Sequence, residues 1–386
     1  MIPTSAQQLA QPVEKCNTKA RYIMVGGFLG AGKTTAVARL ARHLHRQGLR
    51  VGLITNDQGS GLVDTELQTA RGFPTEEIAG GCFCCRFNSL MDAAQKLFSA
   101  NKPDVFLAEP VGSCTDLVAT VTYPLRRIYG EQFSIAPMSV LVDPIRAMRV
   151  FGLEPGGNFS PKVAYIYRKQ LEEADIIVIN KTDLLEPSRR SLLRQFLERE
   201  FPRATFFEVS ARNEQGLAPW FDCISASEQQ ARATMEVDYN TYAEGEALLG
   251  WLNATLQVRS GGPIDANEFV AELARRLQGQ LLAENAEIAH LKMTFSPDEG
   301  LDGLAAVSLV QNDFVPELSL YLEGEVCSGQ LILNLRAEGV PTTLQSAVEN
   351  AFKEVVNSRA GVVMSLEHFE VFQPGKPLPT HRDTSG

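Results

Sequence analysis

Two groups of side chains in this sequence could do chemistry, and they imply different kinds. The first is Gly27-Phe28-Leu29-Gly30-Ala31-Gly32-Lys33-Thr34-Thr35, which follows the apolar run YIMVG and leads straight into TAVARLARHLHRQG. A strand, then Gly-x-x-x-x-Gly-Lys-Thr, then a helix is the setting a phosphate loop requires. Its glycines let backbone N–H groups turn inward around phosphate oxygens, and the helix N-terminus adds positive partial charge. Gly27, Gly30, Ala31, Gly32, Lys33, Thr34 and Thr35 are therefore the expected phosphate contacts. Lys33 also serves catalysis as a mobile cation, and Thr34 offers its hydroxyl to Mg²⁺.

The base is read further along. Asn180-Lys181-Thr182-Asp183 follows the apolar run IIVI, at the carboxyl end of a strand where open α/β sheets bind ligands. A carboxylate at Asp183 can accept from two neighbouring N–H groups on one edge of guanine, a pair adenine lacks, so GTP and GDP are expected over ATP. Ser210-Ala211, after TFFEV, supports the base from its other side. Between these lies DVFLAEPVG, which places Glu109 beside Mg²⁺ and Gly112 as a hinge beside the γ-phosphate. Asp57, Gln58 and Glu109 are the candidates for positioning the attacking water, since no glutamine stands after Gly112.

The second group is Cys82-Phe83-Cys84-Cys85, preceded by Gly80 and Gly81. Thiolates at this spacing suit Zn²⁺, Cu(I) or Co²⁺. In a straight strand Cys85 would face away from Cys82 and Cys84, so one ion can take all three only from a loop. A redox pair and a buried apolar cluster are the alternatives. Cys114 follows Gly112 by two residues and is either a fourth ligand or a small side chain packed in the turn. Cys16, Cys223 and Cys327 are isolated, and His43 and His45 fall on the helix after the phosphate loop as surface residues.

In order, G-G-F-L-G-A-G-K-T-T, G-C-F-C-C, a strand ending E-x-x-G and A-D-x-x-x-x-N-K-x-D-L from Ala174 to Leu184 resemble the CobW-like branch of P-loop GTPases, the CobW/HypB/UreG type. The resemblance is close from Tyr22 to Leu217 and holds only in rough outline beyond. It implies GTP hydrolysis linked to delivery of a transition metal, zinc or cobalt, to a client metalloprotein. It also implies that Thr34, Asp57 and Glu109 serve Mg²⁺, that Lys33, Asp57 and Glu109 serve catalysis, and that Cys82, Cys84 and Cys85 hold the carried ion. Two departures stand out: Asn56-Asp57-Gln58-Gly59 replaces Asn-Glu-aromatic-Gly, and Pro110 follows Glu109 where Thr or Ser is usual. The histidine-rich linker frequent in the family is missing, so single ions are expected rather than a store.

The rest of the chain must position these groups. Runs rich in Val and Ile (YIMVGG, VGLIT, DVFLAEP, MSVLVD, IIVIN, TFFEVS) alternate with amphipathic stretches, the pattern of a mostly parallel sheet covered by helices. The expected architecture is an α/β P-loop domain over 21–224, a connection over 225–246 that thins in aliphatic residues, and a smaller α+β domain over 247–373. Residues 1–20 and 374–386 read as tails. In the second domain Asp265 and Glu268 start a helix carrying Phe269, Leu273, Leu277 and Leu281, and another carries Leu344, Val348, Phe352 and Val355.

A chain of 386 residues with net charge −10 fits two domains and argues against nucleic acid, which demands clustered Lys and Arg. Neither a leader's apolar run nor a bilayer-length one occurs, and an odd count of seven cysteines forms no disulfide framework, so a cytoplasmic protein with reduced thiols is expected, as monomer or homodimer. The competing function is a nucleotide-binding metal or redox sensor with little turnover. The guanine reading has a direct test: Asp183→Asn turns one acceptor into a donor and should weaken GTP while favouring xanthine nucleotides. Unchanged affinity and selectivity in a nucleotide competition assay would remove Asp183 from base recognition.

Overall fold

The structure, a computed structural model, describes residues 19–56, 72–157, 159–299 and 301–384. The aliphatic runs form strands: β1 (Ala20–Gly27), β2 (Val51–Asn56), β3 (Thr75–Ile78), β4 (Val105–Glu109), β5 (Phe133–Ile135), β6 (Ser139–Val142), β7 (Ile176–Ile179) and β8 (Thr205–Glu208). They make an eight-stranded sheet in the order β3-β2-β4-β1-β6-β7-β8, with β5 also paired to β1. Every pairing is parallel. Helices cover both faces, so β2, β4, β6 and β7 are buried at every residue, which is why they read as unbroken hydrophobic runs without alternation. The strands β3 and β5, TEEI and FSI, are too short and polar to announce themselves.

Strand order reverses around β1, so the loops leaving β1, β4 and β7 open on one crevice at the carboxyl edge of the sheet. That edge carries the phosphate loop, the segment after Glu109 and the Asn180 turn.

The second sheet is antiparallel: β9 (Leu249–Asp265), β10 (Glu287–Pro297), β11 (Ala305–Leu309), β12 (Glu317–Leu320), β13 (Glu325–Glu338) and β14 (Val362–Phe372), in the order β12-β11-β10-β13-β9-β14. The two β-α-β halves interlock. β13 lies between β9 and β10, and β9 lies between β13 and β14, the arrangement of split βαβ units. Helices Ala266–Ala283 and Pro341–Ser358 bury Phe269, Leu273, Leu277, Leu281, Leu344, Val348 and Val355 against the sheet. Asp265 caps the first of them, accepting N–H bonds from Asn267 and Glu268.

The stretch read as a connection contains a helix, Tyr239–Leu248, with Tyr242, Gly245 and Glu246 buried. A Cβ on Gly245 would stand 2.5 Å from Lys162 O, so glycine lets this helix lie directly on helix Pro161–Glu173. Sparse aliphatics hid it because its buried face is made of Tyr, Gly and Glu. Residues 374–384 run back against the first sheet instead of trailing away.

The two sheets are joined at Arg146. This buried guanidinium, held between Asp143 and Glu287, donates from Nη2 to Ile288 O at 3.1 Å and to Val310 O, and stacks 4.5 Å over Phe159. Around it Arg149 pairs with Asp313 at 2.5 Å, and Arg212 pairs with Glu317. Removing a buried charge that satisfies two carbonyls leaves both orphaned. Arg146→Ala should therefore cost about 2–4 kcal/mol and split thermal unfolding, followed by calorimetry, into separate transitions for the two sheets. A single transition at the wild-type midpoint would contradict this role.

Candidate functional site

The phosphate loop is closed by contacts that its own sequence supplies. Gly32 adopts φ +91° and a Cβ there would meet Asn180 Nδ2 at 2.5 Å, so only glycine fits. Lys33 and Thr34 begin helix Lys33–Arg46 and are 8% and 7% exposed. Lys33 Nζ donates to Gly27 O at 2.9 Å, curled onto the loop whose phosphates it is expected to meet. Thr34 Oγ1 donates to Glu109 Oε1 at 2.8 Å, bringing together the two oxygens expected to serve Mg²⁺. A hydroxyl and a carboxylate from the phosphate-loop helix and the end of β4 are a hard-oxygen set suited to that ion. Asp57 and Gln58 lie outside the described residues.

Of the residues expected to read the base, Asn180 and Lys181 reach the same loop. Asn180 Nδ2 donates to Ala31 O at 2.9 Å and its Oδ1 accepts from Ala211 N–H at 3.0 Å. One side chain thereby joins the phosphate loop to the Ser210-Ala211 turn. Lys181, at φ +54°, donates to Gly30 O at 2.7 Å and to Asp143 Oδ2 at 2.8 Å. Burial alone would raise Asp143, but Lys181 and the Arg146 N–H reverse this and hold its carboxyl below the usual range. Asp183 stands exposed on the short turn Thr182–Leu184, and Ser210 is buried with its hydroxyl accepting from Asn213 N–H at 3.2 Å.

Gly112 touches the loop from the other side: a Cβ there would meet Leu29 N and Lys33 Nζ, each at 2.9 Å. Two residues on, Cys114 is fully buried, and its thiol stands near enough to Cys82 and Cys84 to shift the acidity of both, beside the group of three thiols. The segment from Glu109 to Cys114 thus spans both candidate sites.

Cys82 to Cys85 form a turn, with Cys85 N–H and Arg86 N–H both donating to Cys82 O, at 3.1 and 2.9 Å. This satisfies the condition that all three thiols can converge only from a loop. Their sulfurs stand 2.9 Å (Cys82–Cys84), 3.3 Å (Cys82–Cys85) and 3.7 Å (Cys84–Cys85) apart. They are the only His, Cys, Asp or Glu group among the described residues close enough to share an ion. All six described cysteines are free thiols. Hydrogen bonds from Cys114, Cys84 and Cys85 draw Cys82 well below the usual thiol range, while Cys84 and Cys114 are pushed well above it, Cys84 by its bonds to Cys114 and Cys82 and Cys114 by burial and its bond to Cys82. Of the four thiols Cys82 gives up its proton most readily, and sulfur ligands at this spacing are the soft set a thiophilic cation takes. Asn56, at the end of β2, clamps the turn: its amide donates to Ile78 O at 2.9 Å and Gly81 O at 2.7 Å and accepts from Phe83 N–H at 2.9 Å.

Several residues here carry no motif and were invisible to sequence reasoning. Lys292, on β10, donates to Thr34 Oγ1 at 3.3 Å, so the second sheet reaches the Mg²⁺ side of the phosphate loop. Glu246 is buried and accepts from Ser113 Oγ at 2.7 Å; burial, then the Cys82 charge, pushes it well above the carboxylate range. Gln170 donates to Gly112 O at 2.9 Å and Cys114 O at 2.8 Å, holding the bridging segment on helix Pro161–Glu173.

The CobW/HypB/UreG nucleotide-binding domain matches residues 21–208. The zinc chaperone YeiR of Escherichia coli (strain K12) is 30% identical over 179 residues, covering 46% of this chain and 51% of that protein. The zinc chaperone CobW of Sinorhizobium sp is 30% identical over 192 residues, covering 44% and 53%. This chain spans about half the length of the curated relatives it matches. The crystal structure of Zn(II)-bound YjiA GTPase from E. coli is 15% identical, covers 88% of this chain and 99% of its own, and superposes at a TM-score of 0.36. No helix among the described residues is long and apolar enough to cross a membrane.

Glu173 closes helix Pro161–Glu173 beneath the bridging segment, accepting from Thr115 Oγ1 at 3.1 Å and Val118 N–H at 3.0 Å. Burial, then the Asp116 charge, raises it to about 8 from 4.5. The unfolded chain loses this proton near pH 4.5 and the folded one only near 8, so stability is fully present below about 4.5 and falls as pH climbs to about 8. The loss is on the order of 4 kcal/mol. Glu173→Gln should flatten that fall in urea titrations between pH 5 and 8, and a mutant with the wild-type slope would show the acid to be ionised throughout.

Proposed function

We propose, with residues 21–208 a member of the CobW/HypB/UreG nucleotide-binding family of P-loop GTPases, that this chain hydrolyses GTP to control a transition-metal ion, zinc or cobalt, carried on Cys82, Cys84 and Cys85 for delivery to a client metalloprotein. The observation that supports this most is the shared segment. Glu109 meets Thr34, Gly112 lies against Lys33, and buried Cys114 stands close enough to Cys82 and Cys84 to shift the acidity of both, all within six residues.

In the proposed cycle the phosphate loop N–H groups and Lys33 bind the β- and γ-phosphates, and Asn180, Lys181, Asp183, Ser210 and Ala211 hold guanine. Thr34, with Glu109 beside it, would hold Mg²⁺, which when bound would supply positive charge to offset that developing on the phosphates. Water adds to the γ-phosphorus, and GDP and phosphate leave. For Lys33 to reach phosphate it must give up Gly27 O, and Gly112 lies against its ammonium. Movement of Gly112 carries Cys114 with it. Four thiolates suit a tetrahedral ion and three hold it less tightly, so a shift of Cys114 converts phosphate chemistry into metal affinity. A nucleotide-dependent metal sensor with little turnover is the second reading, favoured by Ser113, Cys114 and Thr115 standing where a water-orienting glutamine would follow Gly112.

Co²⁺ titration of the full chain, read by thiolate charge-transfer absorption with a non-hydrolysable GTP analogue or with GDP, tests the coupling. Cys114→Ser should weaken binding about 10- to 100-fold in one nucleotide state and not the other. Lys33→Ala should abolish phosphate release. Equal Co²⁺ affinity in both nucleotide states would reject the coupling, and turnover in Lys33→Ala would reject the phosphate loop as the reacting site.

A further inference from the structure

The final described residues lie along the rim of the thiol cluster. Leu378 N–H donates to Cys85 Sγ at 3.2 Å. Thr380 N–H donates to Cys84 O at 2.8 Å and its hydroxyl to Cys85 O at 3.1 Å. His381 meets Phe87 edge-on at 5.0 Å, Arg382 Nε donates to Asp116 Oδ2 at 2.7 Å, and Asp383 N–H donates to Ala119 O at 2.8 Å. Backbone donors set on fixed acceptors, with neighbouring side chains in an aromatic and an acidic socket, are how a protein grips an extended peptide.

The acidic socket is the discriminating part. Asp116 is 1% exposed, at φ +65°, and its Oδ2 accepts from Tyr239 OH at 2.6 Å as well as from Arg382. Its Oδ1 is buried with no hydrogen-bond partner. A buried carboxylate is costly without a cation, and among the described residues its ion pair is with Arg382. The unpartnered Oδ1 is a second acceptor for a guanidinium, whose two-pronged binding lysine cannot copy. The Leu378 side chain itself faces solvent, 72% exposed.

We propose that Cys84, Cys85, Phe87, Asp116 and Ala119 line a peptide-binding groove, filled here by the chain's own residues 378–383. A client segment displaces them by offering an extended backbone and an arginine for Asp116. This rests on the reading of Cys82, Cys84 and Cys85 as the cargo site, because the exchange brings the client against those thiols and removes the Leu378 N–H from Cys85.

The test uses the full chain in EDTA, with iodoacetamide labelling of Cys85 followed by mass spectrometry and with a fluorescent peptide of residues 373–386 as the probe. R382E should raise the Cys85 labelling rate about 10-fold, the consequence of losing a charge-assisted contact that keeps the segment closed. The R382E chain should also bind the wild-type peptide, which slows labelling again, while wild-type chain and the peptide carrying R382E show no such binding. Leu378→Pro removes only the N–H donated to Cys85, on an exposed residue, and should raise labelling even if R382E fails to fold. Unchanged labelling in these variants, or equal binding of the two peptides, overturns the groove. Labelling needs no metal, so failure of the groove is distinguishable from failure of the cargo site, which the Co²⁺ titration reads.

Discussion

The segment from Glu109 to Cys114 is answerable to two sites at once, and much of the molecule is arranged around that constraint. At its start a carboxylate faces the phosphate-loop threonine; at its end the buried Cys114 thiol stands beside Cys82 and Cys84. A stretch this short cannot shift one end and leave the other in place, since close-packed interiors pass displacement on rather than absorb it. Gln170 holds it from below through two carbonyls, and Ser113 reaches across to Glu246. Asn56 gives the thiol-bearing turn a second tether, from the end of β2, through Ile78 O, Gly81 O and Phe83 N–H.

Around the cluster the protein tolerates an unusual density of buried acids. Cys82, Asp116, Glu173 and Glu246 all lie within the same neighbourhood, and their interactions push in opposite directions: Cys82 is drawn down by its S–H donors, while Glu173 and Glu246 are pushed up, mainly by burial. Two carboxylic acids kept neutral beside one thiolate is the inexpensive way to bury these groups, because each further charge would meet a like charge in low dielectric. A divalent cation reverses that logic, and protons or side chains must rearrange around it. The acidic socket is closed by a cation from far along the chain, Arg382 on Asp116.

The second sheet is more than an appendage. Arg146 welds it to the first through carbonyls of residues 288 and 310, and Lys292 extends from β10 to the hydroxyl of Thr34. A Cβ on Gly30 would lie 2.9 Å from Val310, so the phosphate loop itself packs against this sheet. Motion of the loop and motion of the sheet are consequently not independent.

Contiguous residues largely determined the local chemistry of this protein. Gly32 at a left-handed φ, Lys33 and Thr34 at a helix start, and Asn180 and Asp183 at a strand end need only their neighbours and a strand or helix of known period, and those signals are local. The parallel sheet was equally legible because full burial forces unbroken Val, Ile and Leu. A loop at Cys82 to Cys85 could be stated as a condition, but only the fold supplied it, through Asn56. What the sequence could not decide were meetings across long separations: Lys292 with Thr34, Glu246 with Ser113, Arg382 with Asp116. None of these carries a spacing that could be read, since a side chain's partner across two sheets depends on how each strand is ordered and how the sheets dock. The helix Tyr239–Leu248 and the return of residues 374–384 escaped for the same reason: their buried faces are polar, small or backbone, and burial of that kind is set by the surface they land on and leaves no period in the sequence.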